Sequence, residues 1–116
     1  MSEQTTIIER HPDLVVIHIQ PETINEQNLE SIRSGIVAAA LESPQSPVAL
    51  DMGRVAFLPS LSMAGLIQLS QSFRSRKQRL VLFGLRPAVR EALVLTRLDR
   101  LFEIQHDLSA VVAGPG

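Results

Sequence analysis

The 116-residue chain has no cysteine, no tryptophan and no tyrosine. The absence of cysteine excludes disulfide bonds, thiolate metal ligands and cysteine nucleophiles together. Four phenylalanines are the only aromatic residues apart from histidine, so the sequence predicts an aliphatic core. A core built from Val, Ile and Leu is typical of a sheet covered by helices, which favours the α/β class.

Long apolar runs and a strong net charge are also missing. No segment approaches eighteen consecutive apolar residues, and residues 1–6 are polar, unlike a secretory signal. The formal net charge is −1, which gives the protein no general attraction to nucleic acid or to an acidic membrane surface. We therefore expect a cytoplasmic protein that neither inserts into a membrane nor binds nucleic acid.

The sequence also lacks the residue patterns that are typical of metal and cofactor sites. The three histidines, His11, His18 and His106, are scattered without the spacing of metal ligands. The glycines before residue 100 are isolated, so no glycine-rich phosphate loop is present. The sequence predicts neither a metal nor a cofactor.

The elements that are present alternate between strand and helix. Residues 5–9 and 14–19 are rich in β-branched side chains and are separated by a His-Pro-Asp turn, which predicts a hairpin. Apolar residues then recur at helical spacing up to residue 41, with Thr23 and Asn25 as alternative helix caps. The later pattern predicts strands at 48–52, 79–83 and 101–104 and helices beginning at Ser60, at Pro87 and near Leu108.

This order, β-β-α-β-α-β-α-β-α, indicates right-handed βαβ units and a mostly parallel sheet. We expect one domain over residues 1–116, with a core from about 5 to 112. The sheet should have four to five strands, an antiparallel N-terminal edge hairpin and about four helices packed against it.

The chain is organised around the stretch from residue 47 to residue 66. A short apolar run at 48–52 predicts a buried strand, and a second apolar patch, 55–58, ends at Pro59. Proline has no N–H and restricts the preceding residue to extended geometry, so the next helix should begin at Ser60. Ser60 is then predicted to cap that helix with its hydroxyl. This places a hydroxyl at the positive end of a helix, where a phosphoryl group is electrostatically favoured.

Ser60 has two interpretations from this pattern alone. It is either only a helix cap or a phosphoacceptor, in which case phosphorylation adds about 1.5 to 2 negative charges beside the helix start. Ser62 is the second candidate phosphoacceptor. The surrounding residues do not form a Gly-x-Ser-x-Gly motif, and the sequence assigns no His–Asp pair to either serine, so we do not expect an enzyme.

Two long segments carry a resemblance to a known family. The first comprises residues 49–52 (Ala-Leu-Asp-Met) and 55–66, and the second comprises residues 82–93 and 95–104, which end in Leu-Asp-Arg-Leu-Phe-Glu-Ile. Together they resemble the STAS domain, the fold of bacterial anti-sigma factor antagonists. The resemblance covers residues 5 to 112 and implies a STAS-like α/β fold.

The resemblance also places Ser60 on the position that is phosphorylated in the antagonists. The motif around it differs, because Pro59, Leu61 and Ser62 stand where the family usually has Asp, Ser and Gly. Asn25 falls on an Asp of the first strand-to-helix loop. The match therefore implies a phosphoacceptor with fewer carboxylates near it than the family pattern provides.

The resemblance implies a bacterial regulator of transcription, a monomer or weak dimer, that binds an anti-sigma factor with serine kinase activity. A PP2C-type phosphatase would then reverse the phosphorylation. The alternative is a STAS subunit that is not phosphorylated and belongs to a larger complex, either a lipid-transport ATPase or a stress-sensing assembly. In both cases the expected partner-binding residues are Glu22, Thr23, Asn25, Leu58, Pro59, Leu61 and Met63.

Overall fold

A computed structural model describes residues 4–113 as one five-stranded sheet with helices on its two faces. The strands are β1 Thr6–His11, β2 Leu14–Ile19, β3 Val48–Asp51, β4 Leu80–Phe83 and β5 Glu103–Gln105. The helices are α1 Leu29–Glu42, α2 Ser60–Ser75, α3 Pro87–Leu95 and α4 Leu108–Val112, with a short 3₁₀ turn at Leu98–Arg100.

The strand order in the sheet is the same as the order in the chain. Strands β1 and β2 form the antiparallel edge hairpin, with Ile8 opposite Ile17. All later neighbours are parallel, with Leu50 beside Ile17 and Leu82 beside Leu50. The predicted fold class, a mostly parallel sheet with an antiparallel N-terminal edge and four helices, is confirmed.

The two faces of the sheet are covered unequally. On one face Ile17 packs into a large core with side chains of α1, α2 and α3. On the other face Val16 belongs to a small cluster, and α4 is the helix that packs there. Because α4 has only five residues, the end of this face near His18 stays partly open to solvent.

Several predicted boundaries are wrong for local reasons. Helix α1 begins at Leu29, and its cap position is held by Asn28 rather than by Thr23 or Asn25. The Asn25 side-chain oxygen instead accepts hydrogen bonds from the N–H groups of Gln27 and Asn28, which builds a turn before the helix. The other shifts are that β1 runs from residue 6 to 11, that β3 ends at 51, that β4 begins at 80 and that β5 begins at 103.

The side chain of Gln78, which is distant in sequence, forms hydrogen bonds with the connection between α1 and β3. Its buried side-chain nitrogen Nε2 donates to the carbonyl oxygens of Ser43 and Ser46, each at 2.9 Å, and lies 3.3 Å from that of Ala40. These carbonyls lie in the last turn of α1 and in the turn that follows it, where those of Ala40 and Ser43 also accept from the N–H groups of Ser43 and Ser46.

Within residues 4–113 none of the helices has the length and apolarity needed to span a membrane.

An ion pair joins β5 to the remainder of the sheet. Arg79, just before β4, donates from Nε to Glu103 Oε1 at 2.8 Å and makes a second bond from Nη2 to Glu103 Oε2. The same guanidinium donates to the carbonyl of Val111 in α4 at 3.2 Å. The hydrogen bonds from Arg79 lower the pKa of Glu103 below its ordinary value, more than partial burial raises it.

We expect Glu103→Gln to destabilise the fold because it removes the charge that accepts both Arg79 bonds. The expected loss is about 1.5 to 3 kcal/mol of unfolding free energy at neutral pH, as for hydrogen bonds to a charged group. Because the pKa of Glu103 is lower in the folded chain, its contribution is present above the unfolded pKa and is lost as pH falls through the folded pKa. Urea unfolding of both proteins from neutral to acidic pH measures this, and the two curves should converge in acid. Glu91→Gln, at an exposed residue without an ion pair among residues 4–113, is the control and should unfold like the wild type.

Candidate functional site

Two loops leave the same edge of the sheet, because β2 and β3 are parallel. They are the β2–α1 loop, residues 20–28, and the β3–α2 loop, residues 52–59. The N–H groups of Ala56 and Phe57 donate to the carbonyl of Glu22 at 2.7 and 3.3 Å, and Thr23 forms a parallel bridge with Phe57. The two loops are therefore held side by side by their backbones.

Buried side chains fix the path of the β3–α2 loop. Met52, Val55 and Leu58 all lie in the main core. Leu58, which the sequence analysis assigned to the partner surface, is only 4% exposed and cannot make a direct contact of useful size with a partner. Inward placement of Val55 and Leu58 leaves Phe57 outside, with 60% of its surface exposed.

The start of α2 differs from the predicted cap. Pro59, not Ser60, occupies the cap position, with extended geometry (φ −64°, ψ 161°). Its carbonyl accepts hydrogen bonds from the N–H groups of Ser62 and Met63 at 3.0 and 3.2 Å. Ser60 is therefore the first residue of the helix. Its exposed hydroxyl has no hydrogen-bond partner within residues 4–113.

Ser62 lies in a different environment from Ser60. Its side chain is 1% exposed, and its hydroxyl donates to the carbonyl of Pro59 at 2.8 Å. A phosphoryl donor could reach this oxygen only if the first turn of α2 opened, which disfavours Ser62 as the second candidate phosphoacceptor.

The helix start is electropositive. The backbone N–H groups of Ser60 and Leu61 have no acceptor among residues 4–113, and the first turn of α2 contains no acidic residue. Unpaired N–H groups and the aligned peptide dipoles favour negative charge at this place.

Most of the expected partner-binding residues surround this helix start, and their exposure varies. Glu22, Thr23, Asn25 and Leu61 are exposed, whereas Pro59 and Met63 are half-buried. Phe57 was missed by the sequence analysis, which placed it in an apolar patch without assigning a side. It lies three residues before Ser60 and, with Leu61 at 42% exposure, gives the helix start an apolar border.

A second group of polar side chains lies on the open sheet face at the same edge. Nδ1 of His18 lies 2.7 Å from Oδ2 of Asp51, and Nε2 of His18 lies 3.2 Å from Oε1 of Glu9. Partial burial lowers the pKa of His18, but the hydrogen bonds to Asp51 and Glu9 outweigh it and raise that pKa above the ordinary value.

No His–Asp pair was predicted for either serine, and the pair of His18 and Asp51 was missed because the two residues are 33 apart in the chain. No hydroxyl within residues 4–113 bonds to either ring nitrogen of His18, so this pair does not activate a serine. Over the same residues no group of three His, Asp or Glu side chains is arranged to hold a metal ion.

The sequence matches the STAS domain family over residues 5–111. The chain belongs to the STAS domain family. Comparison with curated protein sequences gives no match.

Several solved structures share the fold. A putative anti-sigma factor antagonist from Thermotoga maritima superposes with a TM-score of 0.80 at 20% identity, over 93% of this chain and 92% of that one. An anti-sigma factor antagonist from Mycobacterium paratuberculosis gives 0.79 at 24% identity, over 94% and 92%. A chain from a structure of the stressosome, described as a signal integration and transduction hub, gives 0.74 at 19% identity, over 92% and 93%. At these identities the likeness establishes the fold.

Alanine substitution should affect the stability of the fold differently at the two serines near the start of α2. Ser60→Ala should change the unfolding free energy by no more than about 0.5 kcal/mol, because its hydroxyl has no partner in the described chain. Ser62→Ala removes a buried hydrogen bond, although the Pro59 carbonyl keeps the N–H groups of Ser62 and Met63 as donors, so we expect a loss of about 1 kcal/mol. Urea unfolding of the two variants measures this directly. The reverse order would show that Ser60, not Pro59, caps the helix.

Proposed function

We propose that this STAS domain is a regulatory, non-enzymatic binding protein of the anti-sigma factor antagonist type, switched by phosphorylation of Ser60. The observation that carries the proposal is an exposed, unbonded hydroxyl at the first residue of α2. It lies between two exposed apolar side chains of the chain, Phe57 and Leu61.

The geometry explains how phosphate would act as a switch without disturbing the fold. The unpaired N–H groups at the start of α2 favour a phosphate in the free protein. In a complex, a partner that covers Phe57 and Leu61 would have to remove water from a group with about 1.5 to 2 negative charges. The phosphorylated protein keeps its fold, and its complex is weakened.

The partner proposed from the family is an anti-sigma factor with serine kinase activity, and a PP2C-type phosphatase would remove the phosphate. Binding would use the exposed part of the two loops, with Phe57 added and Leu58 omitted. The setting would be the bacterial cytoplasm, with transcription as the regulated process. The protein would act as a monomer or weak dimer.

Incubation with ATP and a kinase encoded beside this gene should place phosphate on Ser60, as mapped by mass spectrometry. Ser60→Ala should abolish the modification, and Ser62→Ala, with a buried hydroxyl replaced, should keep it. Phosphate only on another residue, or none, would refute the switch.

Titration calorimetry of this protein with the same kinase should show how a negative charge at Ser60 affects their complex. We expect Ser60→Asp to weaken the complex at least about tenfold, which is a 1.4 kcal/mol effect. Ser109→Asp, at an exposed residue of α4, is the matched control and should bind like the wild type. Equal affinity of Ser60→Asp and wild type would contradict the proposed docking surface.

A second candidate function is a STAS subunit of a larger complex, a lipid-transport ATPase or a stress-sensing assembly, in which Ser60 is not phosphorylated. It is favoured by Pro59 and Asn25, which replace the carboxylates of the family pattern near the acceptor, and by the likeness to a stressosome chain. In this case Ser60→Ala would bind as tightly as the wild type, Ser60→Asp would bind more weakly, and the kinase would leave Ser60 unmodified.

A further inference from the structure

We propose that His18 is a pH-sensitive connector that, in its protonated form, holds strand β1 to the residues at which the β3–α2 loop begins. The proposal deepens the proposed function, because that loop leads to Ser60, and only its regulatory meaning rests on that function. The connector itself is a property of the isolated chain.

The contacts of His18 require a doubly protonated ring. Its two nitrogens face Asp51 Oδ2 at 2.7 Å and Glu9 Oε1 at 3.2 Å. Carboxylate oxygens accept hydrogen bonds and do not donate them, whereas a neutral imidazole has a single N–H. Both contacts can therefore be hydrogen bonds only when His18 carries a positive charge. In that form one side chain of β2 bridges its neighbours on both sides, β1 and β3.

Asp51 extends this connection into the β3–α2 loop. Its other oxygen, Oδ1, accepts a hydrogen bond from the N–H of Gly53 at 2.9 Å. The carbonyl of Gly53 accepts in turn from Nε of Arg86 at 2.9 Å. Gly84, at φ +70°, brings its backbone close enough that a Cβ there would lie 3.6 Å from Asp51 Oδ1. The carboxylate is thus fixed between His18 and the second residue of the loop.

Other titratable groups near His18 are few. His11 on β1 contacts the second oxygen of Glu9 at 2.6 Å and competes with His18 for that carboxylate. Phe83 on β4 and Gln105 on β5 continue the row beyond Asp51 and carry no charge. Helix α1 packs in the core on the opposite face of the sheet. Partial burial opposes protonation of His18, and Glu9 and Asp51 are the charged groups that favour it.

Loss of the proton breaks the bridge. The neutral ring keeps one N–H, and the lone pair on its other nitrogen then faces a carboxylate oxygen. The shorter contact to Asp51 is the stronger one, so the bond to Glu9 is released first, and the trio of Glu9, His18 and Asp51 changes from a net charge of −1 to −2.

The direction of the effect follows from the pKa of His18, which is raised above the ordinary value of about 6.5. A group with a raised folded pKa contributes stability that is fully present below its unfolded pKa. That stability is lost as pH rises through the folded pKa. Strand β1 should therefore be held firmly to Asp51 and the start of the β3–α2 loop in mildly acidic solution, and less firmly as the solution becomes alkaline.

NMR titration of the full chain between about pH 5.5 and 8.5 tests the connector. The ring nitrogens of His18 should titrate with a midpoint above about 6.5, the ordinary value for histidine. The backbone amides of Gly53 and Val55 should shift with the midpoint of His18. A His18 midpoint at or below about 6.5, or loop amides that do not titrate, would overturn the proposal on the wild-type protein alone.

Two variants identify the source of the titration. In His18→Gln the shift of the Gly53 amide should be lost, and in Glu9→Gln the midpoint of His18 should fall. His11→Gln is the matched control, because it touches Glu9 but not β3, and should leave the Gly53 titration in place. A Gly53 titration that persists in His18→Gln would also overturn the proposal. Phosphate mapping at Ser60 is a separate measurement, so failure of the connector and failure of the phosphorylation switch are distinguishable.

Discussion

The position of Ser60 depends on the burial of Val55 and Leu58. Both side chains lie in the main core, although only two residues separate them. The side chain of Phe57, between them, therefore points to solvent. Pro59 follows directly with a fixed φ and no N–H. The next residue then begins a helix on the surface of the molecule. The exposure of the hydroxyl is thus a consequence of aliphatic packing several residues away.

Unequal cover of the sheet determines where polar chemistry can exist in this fold. The face toward α1, α2 and α3 is filled with aliphatic side chains, and polar groups there would be expensive to bury. Among residues 4–113, α4 is the one helix on the opposite face, and its five residues cover the end near Val16. The β2–α1 and β3–α2 loops begin at the uncovered end of this face. His18 and Asp51 can therefore be charged and still lie close to the β3–α2 loop.

The sequence was sufficient for the order of elements and for the α/β class, since both follow from apolar periodicity and from the prolines and glycines between segments. It was insufficient for the two helix starts near the site. At α1 the choice among Thr23, Asn25 and Asn28 is decided by side-chain hydrogen bonds within one turn. At α2 the carbonyl of Pro59 accepts hydrogen bonds from the N–H groups of Ser62 and Met63, in place of the predicted Ser60 hydroxyl.

Two further features depend on contacts that no local pattern contains. The outward placement of Phe57 requires knowing which side of the β3–α2 loop meets the core. The pairing of His18 with Asp51 requires the parallel register of β2 and β3, in which these residues are direct partners. Glu9 joins them because it lies on the same face of β1, two residues beyond Ile7, the direct partner of His18 in the hairpin. Such groups become visible only after the strand pairing is known.

The bonds from Gln78 to carbonyls in the last turn of α1 and just after it have a consequence for synthesis on the ribosome. The acceptors emerge first, and their donor is translated 32 to 38 residues later. Until it leaves the exit tunnel, the α1–β3 connection lacks these partners, and β3 lacks its neighbour β4 as well. The first half of this domain is therefore expected to become firmly ordered only when translation has passed into the second half.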